Sequence, residues 1–196
     1  YVYLRKEVGR NWQDVLFPLK NTIIFIEENN DFVFSEEFAA FVKHSSNYFV
    51  LVSRAPLKML PYSVHEIYEI ITSRKHTNVK ESYHHFRELY SNYPFLENNK
   101  LQTIITEDSN SGHQFFAKLF SNSNTISANG NGNIIHELQK LSSDDTLIIV
   151  DGADFGAMIE NCLEYLESKQ NQRISLWLPE SFEYLILKSE LISSKE

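Results

Sequence analysis

The sequence predicts an α/β protein with Rossmann-like, mostly parallel sheets and helices on both faces. Three observations carry that prediction. Short apolar, β-branched runs recur at Thr22–Ile26, Tyr48–Val52, Leu101–Thr106, Thr146–Val150 and Ile174–Leu178. Segments with apolar residues at helical spacing separate them. Several of the runs stop abruptly at carboxylates, at the strand end where open parallel sheets place their ligands.

Taken in order, Tyr1–Leu4 reads as a weak strand and Asn11–Leu16 as a short helix ended near Pro18. Ile23-Ile24-Phe25-Ile26 is an uninterrupted apolar run, the pattern of a central parallel strand buried on both faces. Ser35-Glu36-Glu37-Phe38 opens a helix: a serine N-cap, an acidic first turn, then Phe38, Phe41 and Val42 on one face. With Tyr48–Val52 this makes a βαβ unit, which should cross over right-handed. Residues 55–97 have a different texture. Val64, Ile67, Tyr68, Ile70 and Ile71 suit a strand or a short helix, and Tyr83, Phe86, Leu89 and Tyr90 form a helical stripe over Lys80–Tyr93. Pro94 and the polar run Glu97-Asn98-Asn99-Lys100 then place a domain boundary, giving segments 1–97 and 98–196.

Beyond that boundary the alternation is regular. Leu101–Thr106 is followed by a helix bearing Phe115, Phe116, Leu119 and Phe120. A short strand Thr125–Ser127, a glycine turn and a helix with Ile134, Ile135, Leu138 and Leu141 come next. Thr146–Val150, a helix over Phe155–Leu166, strand Ile174–Leu178 and a helix with Phe182, Leu185 and Ile186 complete a doubly wound pattern.

Composition bounds the function. The 196 residues are 42% hydrophobic and 13% aromatic, enough for a packed core. Eighteen basic against 26 acidic residues give a net charge of −8, which argues against a broad phosphate-neutralising surface. A local basic strip, such as Arg54, Lys58, Arg74 and Lys75, or a bound metal would still allow nucleic acid as substrate. The single Cys162 excludes an internal disulfide and a cysteine-rich zinc site, fits a reducing cytoplasm, and sits in an apolar helical stripe as a core residue. No run is long enough to span a membrane, and no secretory signal is visible. The chain starts at Tyr1 without a methionine, and the expectation is a fragment of a longer protein that pairs with itself or with another protein.

Two acidic strand ends carry the chemistry: Ile104-Ile105-Thr106-Glu107-Asp108 and Ile148-Ile149-Val150-Asp151-Gly152-Ala153-Asp154. Side by side they would gather Glu107, Asp108, Asp151 and Asp154, a concentration of charge that a divalent cation relieves. Gly152 and Ala153 would let a ligand approach the backbone. Each carboxylate also has a plainer role open to it. Asp108 can cap the helix after the first strand and Asp154 the helix that starts at Phe155. His113 suits a surface position or could reach the acidic site from the start of its helix, and His84 and His85, on a helix, diverge by about 100° and cannot share one metal.

The order of a glutamate at one strand tip (Glu107), a glycine turn after the next strand (Gly130 in Ser-Ala-Asn-Gly-Asn-Gly-Asn) and an acidic pair at a third tip (Asp151, Asp154) resembles the TOPRIM domain. It is most similar to the TOPRIM that follows an ATPase in the overcoming-lysogenization-defect nucleases. Pro179-Glu180-Ser181-Phe182-Glu183-Tyr184-Leu185 is similar to that group's late glutamate segment, so the resemblance covers Leu101 to the end. It implies Mg²⁺-dependent strand cleavage or transfer on nucleic acid, with Glu107 in acid/base work, Asp151 and Asp154 on the metal, and Asp108 as an extra ligand. The family spaces its two aspartates by one residue. Here Gly152 and Ala153 intervene, so either Asp154 substitutes or the domain has lost catalysis and serves in interaction or regulation.

The first half resembles the Walker B portion of P-loop ATPases: Ile23-Ile24-Phe25-Ile26-Glu27-Glu28, then Val50-Leu51-Val52-Ser53-Arg54. That likeness implies Glu27, Glu28 and Arg54 near nucleotide and Mg²⁺. Yet no Gly-x-x-x-x-Gly-Lys-Ser/Thr occurs in the 196 residues, so ATP is expected only if such a loop lies upstream of Tyr1.

Overall fold

The structure, a computed structural model, describes residues 1–4, 11–72, 84–90, 101–141, 145–169 and 173–189. It comprises two compact units, Tyr1–Pro61 and Tyr62–Glu196. The sequence places the division at 97/98; the structure groups residues from Tyr62 onward with the C-terminal half because their hydrogen bonds run there. Gly156 N–H donates to Tyr62 O (3.1 Å), Ser63 Oγ to a Glu180 carboxylate oxygen (3.1 Å), and Tyr90 Oη to Leu176 O (3.0 Å).

The first unit is a three-stranded parallel sheet in the order β1 (Val2–Leu4), β2 (Ile23–Ile26), β3 (Tyr48–Leu51). Helices α1 (Trp12–Leu16) and α2 (Glu36–His44) supply the crossovers. Ile24 and Ile26 are fully buried, and the neighbouring Phe49 meets Phe38 and Phe41 of α2 edge-on, with Trp12 packed on both. The expectation that Ile23–Ile26 is buried on both faces is corrected: Ile23 is 48% exposed. Four apolar residues in a row report hydrophobicity, whereas coverage depends on which layers exist, and α1 and α2 pack on the Ile24 face.

Helix α2 starts as its sequence dictates. Ser35 Oγ accepts the Phe38 N–H (3.2 Å), and its hydroxyl donates back to Phe32 O (2.8 Å). Glu36 and Glu37 fill the first turn and Lys43 and His44 the last, each matched to the helix dipole. Ser35→Ala is expected to destabilise this unit by about 1 kcal/mol, read as a fall in thermal midpoint of a few degrees.

In the second unit, β4 (Tyr68–Thr72) and β5 (His84–Glu88) form an antiparallel ribbon with Ile70 opposite Phe86. The helix expected over Lys80–Tyr93 is therefore corrected: residues 84–88 are strand, and 80–83 and 91–93 lie outside the described residues, as do His76, Arg74 and Lys75. The aromatic stripe satisfies a helical period, but cross-strand pairing with Tyr68–Thr72 decides the outcome. His84 and His85 fall in β5, so the helical divergence expected of them does not apply.

The rest is a four-stranded, wholly parallel sheet in the order β7 (Asn124–Ser127), β6 (Thr103–Thr106), β8 (Asp145–Ile149), β9 (Arg173–Trp177). One face is a core of Ile105, Ile148, Val150, Leu176 and Leu178 against α4 (Ile134–Lys140) and α5 (Ile159–Ser168). The other carries Ile104, Leu147 and Ile149 against Phe116 of α3 (Ser111–Leu119), with Trp177 and with Phe182 and Leu185 of α6 (Phe182–Lys188). This is the Rossmann-like, two-faced arrangement the alternation predicts. Helix α5 begins at Ile159 rather than Phe155, after two short 3-10 turns at Gly152–Asp154 and Gly156–Met158. Cys162 lies wholly inside, its thiol pKa pushed up to about 12 by burial, as a core residue rather than a nucleophile. Among the described residues no helix is long and apolar enough to cross a membrane.

Candidate functional site

Strand order fixes where a site can form. From β6 the chain passes through α3 to β7 on one side; from β7 it returns through α4 to β8 on the other side of β6. The connection leaving β6 therefore turns to one face of the sheet and the connection leaving β8 to the opposite face. A crevice opens between the carboxyl ends of these two central strands, the topological switch point. Glu107 and Asp151 stand on its two sides.

Hydrogen bonds join them. Asp151 N–H donates to Glu107 Oε2 at 3.1 Å, while Glu107 N–H donates to Ile149 O at 3.2 Å. The glycine turn expected from the sequence backs this tip: Gly130 N–H donates to Glu107 O (2.8 Å), with Asn129 and Gly130 both at positive φ. Both carboxylates are half-buried. Burial raises the Glu107 pKa above its ordinary value, partly offset by the Asp151 N–H, with further upward pressure from the charges of Asp151, Asp154 and Asp108. Asp151 is raised too, first by burial and then by Glu183 and Asp108, against the lowering effect of the Phe182 N–H. Both groups are thus held where their ionised forms are unfavourable, as in sites that bind a cation or move a proton.

Asp108 serves the backbone. Its Oδ1 accepts the His113 N–H at 3.0 Å, so the capping role open to it is real, although it reaches past the formal N-cap Asn110. Gly112 makes room, since a Cβ there would lie 3.1 Å from Asp108 Oδ1. His113 is a half-buried residue rather than a surface one, with Nδ1 2.9 Å from the hydroxyl of the buried Thr106. Asp154 is exposed and ends the Gly152–Asp154 turn. The capping role open to it is not taken: no such hydrogen bond forms, and the chain continues into a second turn before α5. Its carbonyl accepts from Asn131 Nδ2 at 3.4 Å, and its charge is felt at Glu107.

The C-terminal helix adds a part of the site that sequence reasoning misses. Phe182 N–H, at the start of α6, donates to Asp151 Oδ1 at 3.1 Å, which sets Glu183 close enough to repel the Asp151 carboxylate. The only signal in the sequence is the late Pro-Glu-Ser-Phe-Glu segment. Its other glutamate is engaged elsewhere: Glu180 Oε2 accepts from Ser63 and lies 3.9 Å from His65 Nε2. Close backbone packing holds the Asp151 turn, with Gly152 N–H donating to Pro179 O (2.6 Å) and Ala153 N–H to Glu180 O (3.1 Å).

Among the described residues, no three of His, Cys, Asp and Glu gather as a group able to hold a metal ion. Mg²⁺ does not require one, because it keeps several waters and is commonly held by one or two carboxylates together with substrate phosphates. Glu107 Oε1 and Asp151 Oδ2 have no hydrogen-bond partner among the described residues, so the pair fits that weaker requirement and not an all-protein cage.

In the first unit, β2 and β3 run side by side, so Glu27, Glu28 and Arg54 share one end of the sheet. Arg54 grips Glu28 with Nε (2.7 Å) and Nη2 (3.0 Å), and this hydrogen-bonded pairing holds the Glu28 carboxyl below its usual range.

No protein-family model matches the chain, and neither curated proteins nor solved structures yield a match.

Proposed function

We propose that the Tyr62–Glu196 unit is a TOPRIM-like, Mg²⁺-dependent phosphoryl-transfer module acting on nucleic acid, within a larger ATPase–TOPRIM protein. One observation carries the reading: Glu107 and Asp151 meet across the switch-point crevice, joined by the 3.1 Å Asp151 N–H to Glu107 Oε2 bond. Asp151, with one carboxylate oxygen left over from the Phe182 N–H, is the principal metal ligand, and Asp154 and Asp108 are supplementary ones. Mg²⁺, when bound, would polarise a phosphoryl oxygen and neutralise the charge that these carboxylates concentrate. Glu107 accepts or returns a proton, a role suited to a carboxyl whose pKa burial has moved upward.

A second reading has an observation of its own. Asp154 is exposed, and no three-donor group forms among the described residues, which suits a domain that keeps the fold for interaction or regulation. Calorimetric titration with Mg²⁺ and Mn²⁺ separates the two. Binding that Asp151→Asn weakens at least tenfold, accompanied by cleavage of single- or double-stranded DNA or RNA, supports the first. No heat with either ion and no cleavage of any substrate leaves the second.

A further inference from the structure

The glycine turn that backs Glu107 holds both Asn-Gly pairs of the sequence, Asn129-Gly130 and Asn131-Gly132. Asparagine followed by glycine is prone to deamidation, because no Cβ hinders the glycine amide as it meets the asparagine side chain. The reaction requires that this amide nitrogen be free, and here the two pairs differ. Gly130 N–H donates to Glu107 O at 2.8 Å. Asn129 is braced as well, its N–H donating to Ser127 Oγ (3.1 Å) and its carbonyl accepting from Asn133 Nδ2 (3.3 Å). Gly132 N–H has no partner among the described residues. It lies at the start of the 3-10 turn Asn131–Asn133, whose bonds are made by the later amides, Asn133 N–H to Gly130 O (3.1 Å) and Ile134 N–H to Asn131 O. Gly132 is exposed, with nothing within 4 Å of the place a Cβ would take. The Asn131 side chain is restrained by one long bond, Nδ2 donating to Asp154 O at 3.4 Å.

We infer that Asn131 is a site of spontaneous deamidation, and that its conversion releases the tie between the glycine turn and Asp154 while adding a carboxylate beside the acidic site. The Gly132 nitrogen attacks Asn131 Cγ, so an N–Cγ bond forms and the Cγ–Nδ2 bond breaks. The Nδ2 group leaves as ammonia, taking up the proton that Gly132 N gives up. Water then opens the cyclic imide at either carbonyl, which yields aspartate or isoaspartate. The only co-reactant is water, and the step holds whether or not the site binds Mg²⁺. Its consequence is electrostatic. A side chain that donates to Asp154 O becomes an acceptor-only carboxylate facing that carbonyl. A further negative charge joins a group whose members, Asp151, Asp154 and Asp108, already repel the Glu107 carboxylate.

Prolonged incubation of the 196-residue chain in mildly alkaline buffer, followed by proteolysis and fragment-ion mass spectrometry, tests this residue by residue. In the folded chain Asn131 should gain the mass of an amide-to-acid conversion about fivefold faster than Asn129, the protection that one hydrogen bond gives the Gly130 amide. In urea the two rates should converge. Gly132→Ala, whose Cβ meets nothing, should suppress the reaction at Asn131 while far-ultraviolet circular dichroism stays as in wild type. Asn131→Asp, the direct product, should melt below wild type at low ionic strength, by a margin that added salt narrows. Conversion of Asn129 as fast as Asn131 in the folded chain overturns the proposal, as does a folded chain that stays intact where the urea-treated chain reacts. So does an Asn131 preference that persists in urea, an Asn131 rate that Gly132→Ala leaves unchanged, or an Asn131→Asp variant that melts with wild type.

Discussion

Gly156→Ala is expected to destabilise the Tyr62–Glu196 unit by about 3 kcal/mol or more, through steric overlap rather than lost contacts. A Cβ at this position would fall well inside van der Waals contact distance of the Tyr62 carbonyl oxygen and 2.5 Å from Tyr62 Cδ2, where no rotamer change relieves the backbone atom. The same approach is made by the Gly156 N–H to Tyr62 O bond, so clash and hydrogen bond cannot both be accommodated. Gly152→Ala is the informative control. Its Cβ would meet Leu178 O and Pro179 O at 3.0 Å, a contact that yields to a shift of a few tenths of an ångström. Urea denaturation should rank 156 well above 152. Equal, small effects at both would mean that the segment around Tyr62 does not pack on the Gly156 turn.

Glu107→Gln should act on stability and activity in opposite directions. The amide oxygen can still accept the Asp151 N–H, so the geometry of the tip survives while its charge does not. In the folded chain Glu107 holds its proton more tightly than in the unfolded chain, because burial raises its pKa above 4.5. The unfolded state then binds fewer protons, and stability falls as pH rises from the ordinary glutamate value through the raised one. The loss persists at neutral pH. Replacing the carboxyl by an amide removes it, so the variant should melt higher than wild type at neutral pH and converge with it in acid. Saturating Mg²⁺ should narrow the neutral-pH gap by stabilising wild type more. In the phosphoryl-transfer reading, the same substitution lowers cleavage by about 10²–10⁴-fold. A variant that melts lower than wild type at neutral pH would mean that the Glu107 carboxylate is stabilised in the fold.

The second half of the chain is legible because its elements are decided locally. Runs such as Ile148-Ile149-Val150 are buried on both faces and flanked by well-formed helical stripes, and Glu107 and Asp151 are found where those runs stop. What sequence cannot supply is whatever depends on distant partners. Tyr83, Phe86, Leu89 and Tyr90 fit a helical period, yet pairing with β4 makes residues 84–88 a strand. The contact of α6 with Asp151 joins residues 31 apart, and the Ser63–Glu180 bond joins residues 117 apart; neither leaves a local pattern. The apolar run at Ile23–Ile26 announces a strand but not how many layers cover it.

The Tyr90 hydroxyl has a consequence for the outer margin of the larger sheet. It donates to Leu176 O and accepts the Leu178 N–H at 3.2 Å, while His65 Nε2 lies 3.2 Å from Leu178 O. Strand β9 is an edge, and its outward backbone groups are a template on which a foreign strand can pair. Here side chains from a separate stretch of sequence occupy that template. Amide exchange at Leu178 therefore reports how often Tyr90 lifts away, and this end of the margin stays closed to a foreign strand while the Tyr90 and His65 rings stay seated.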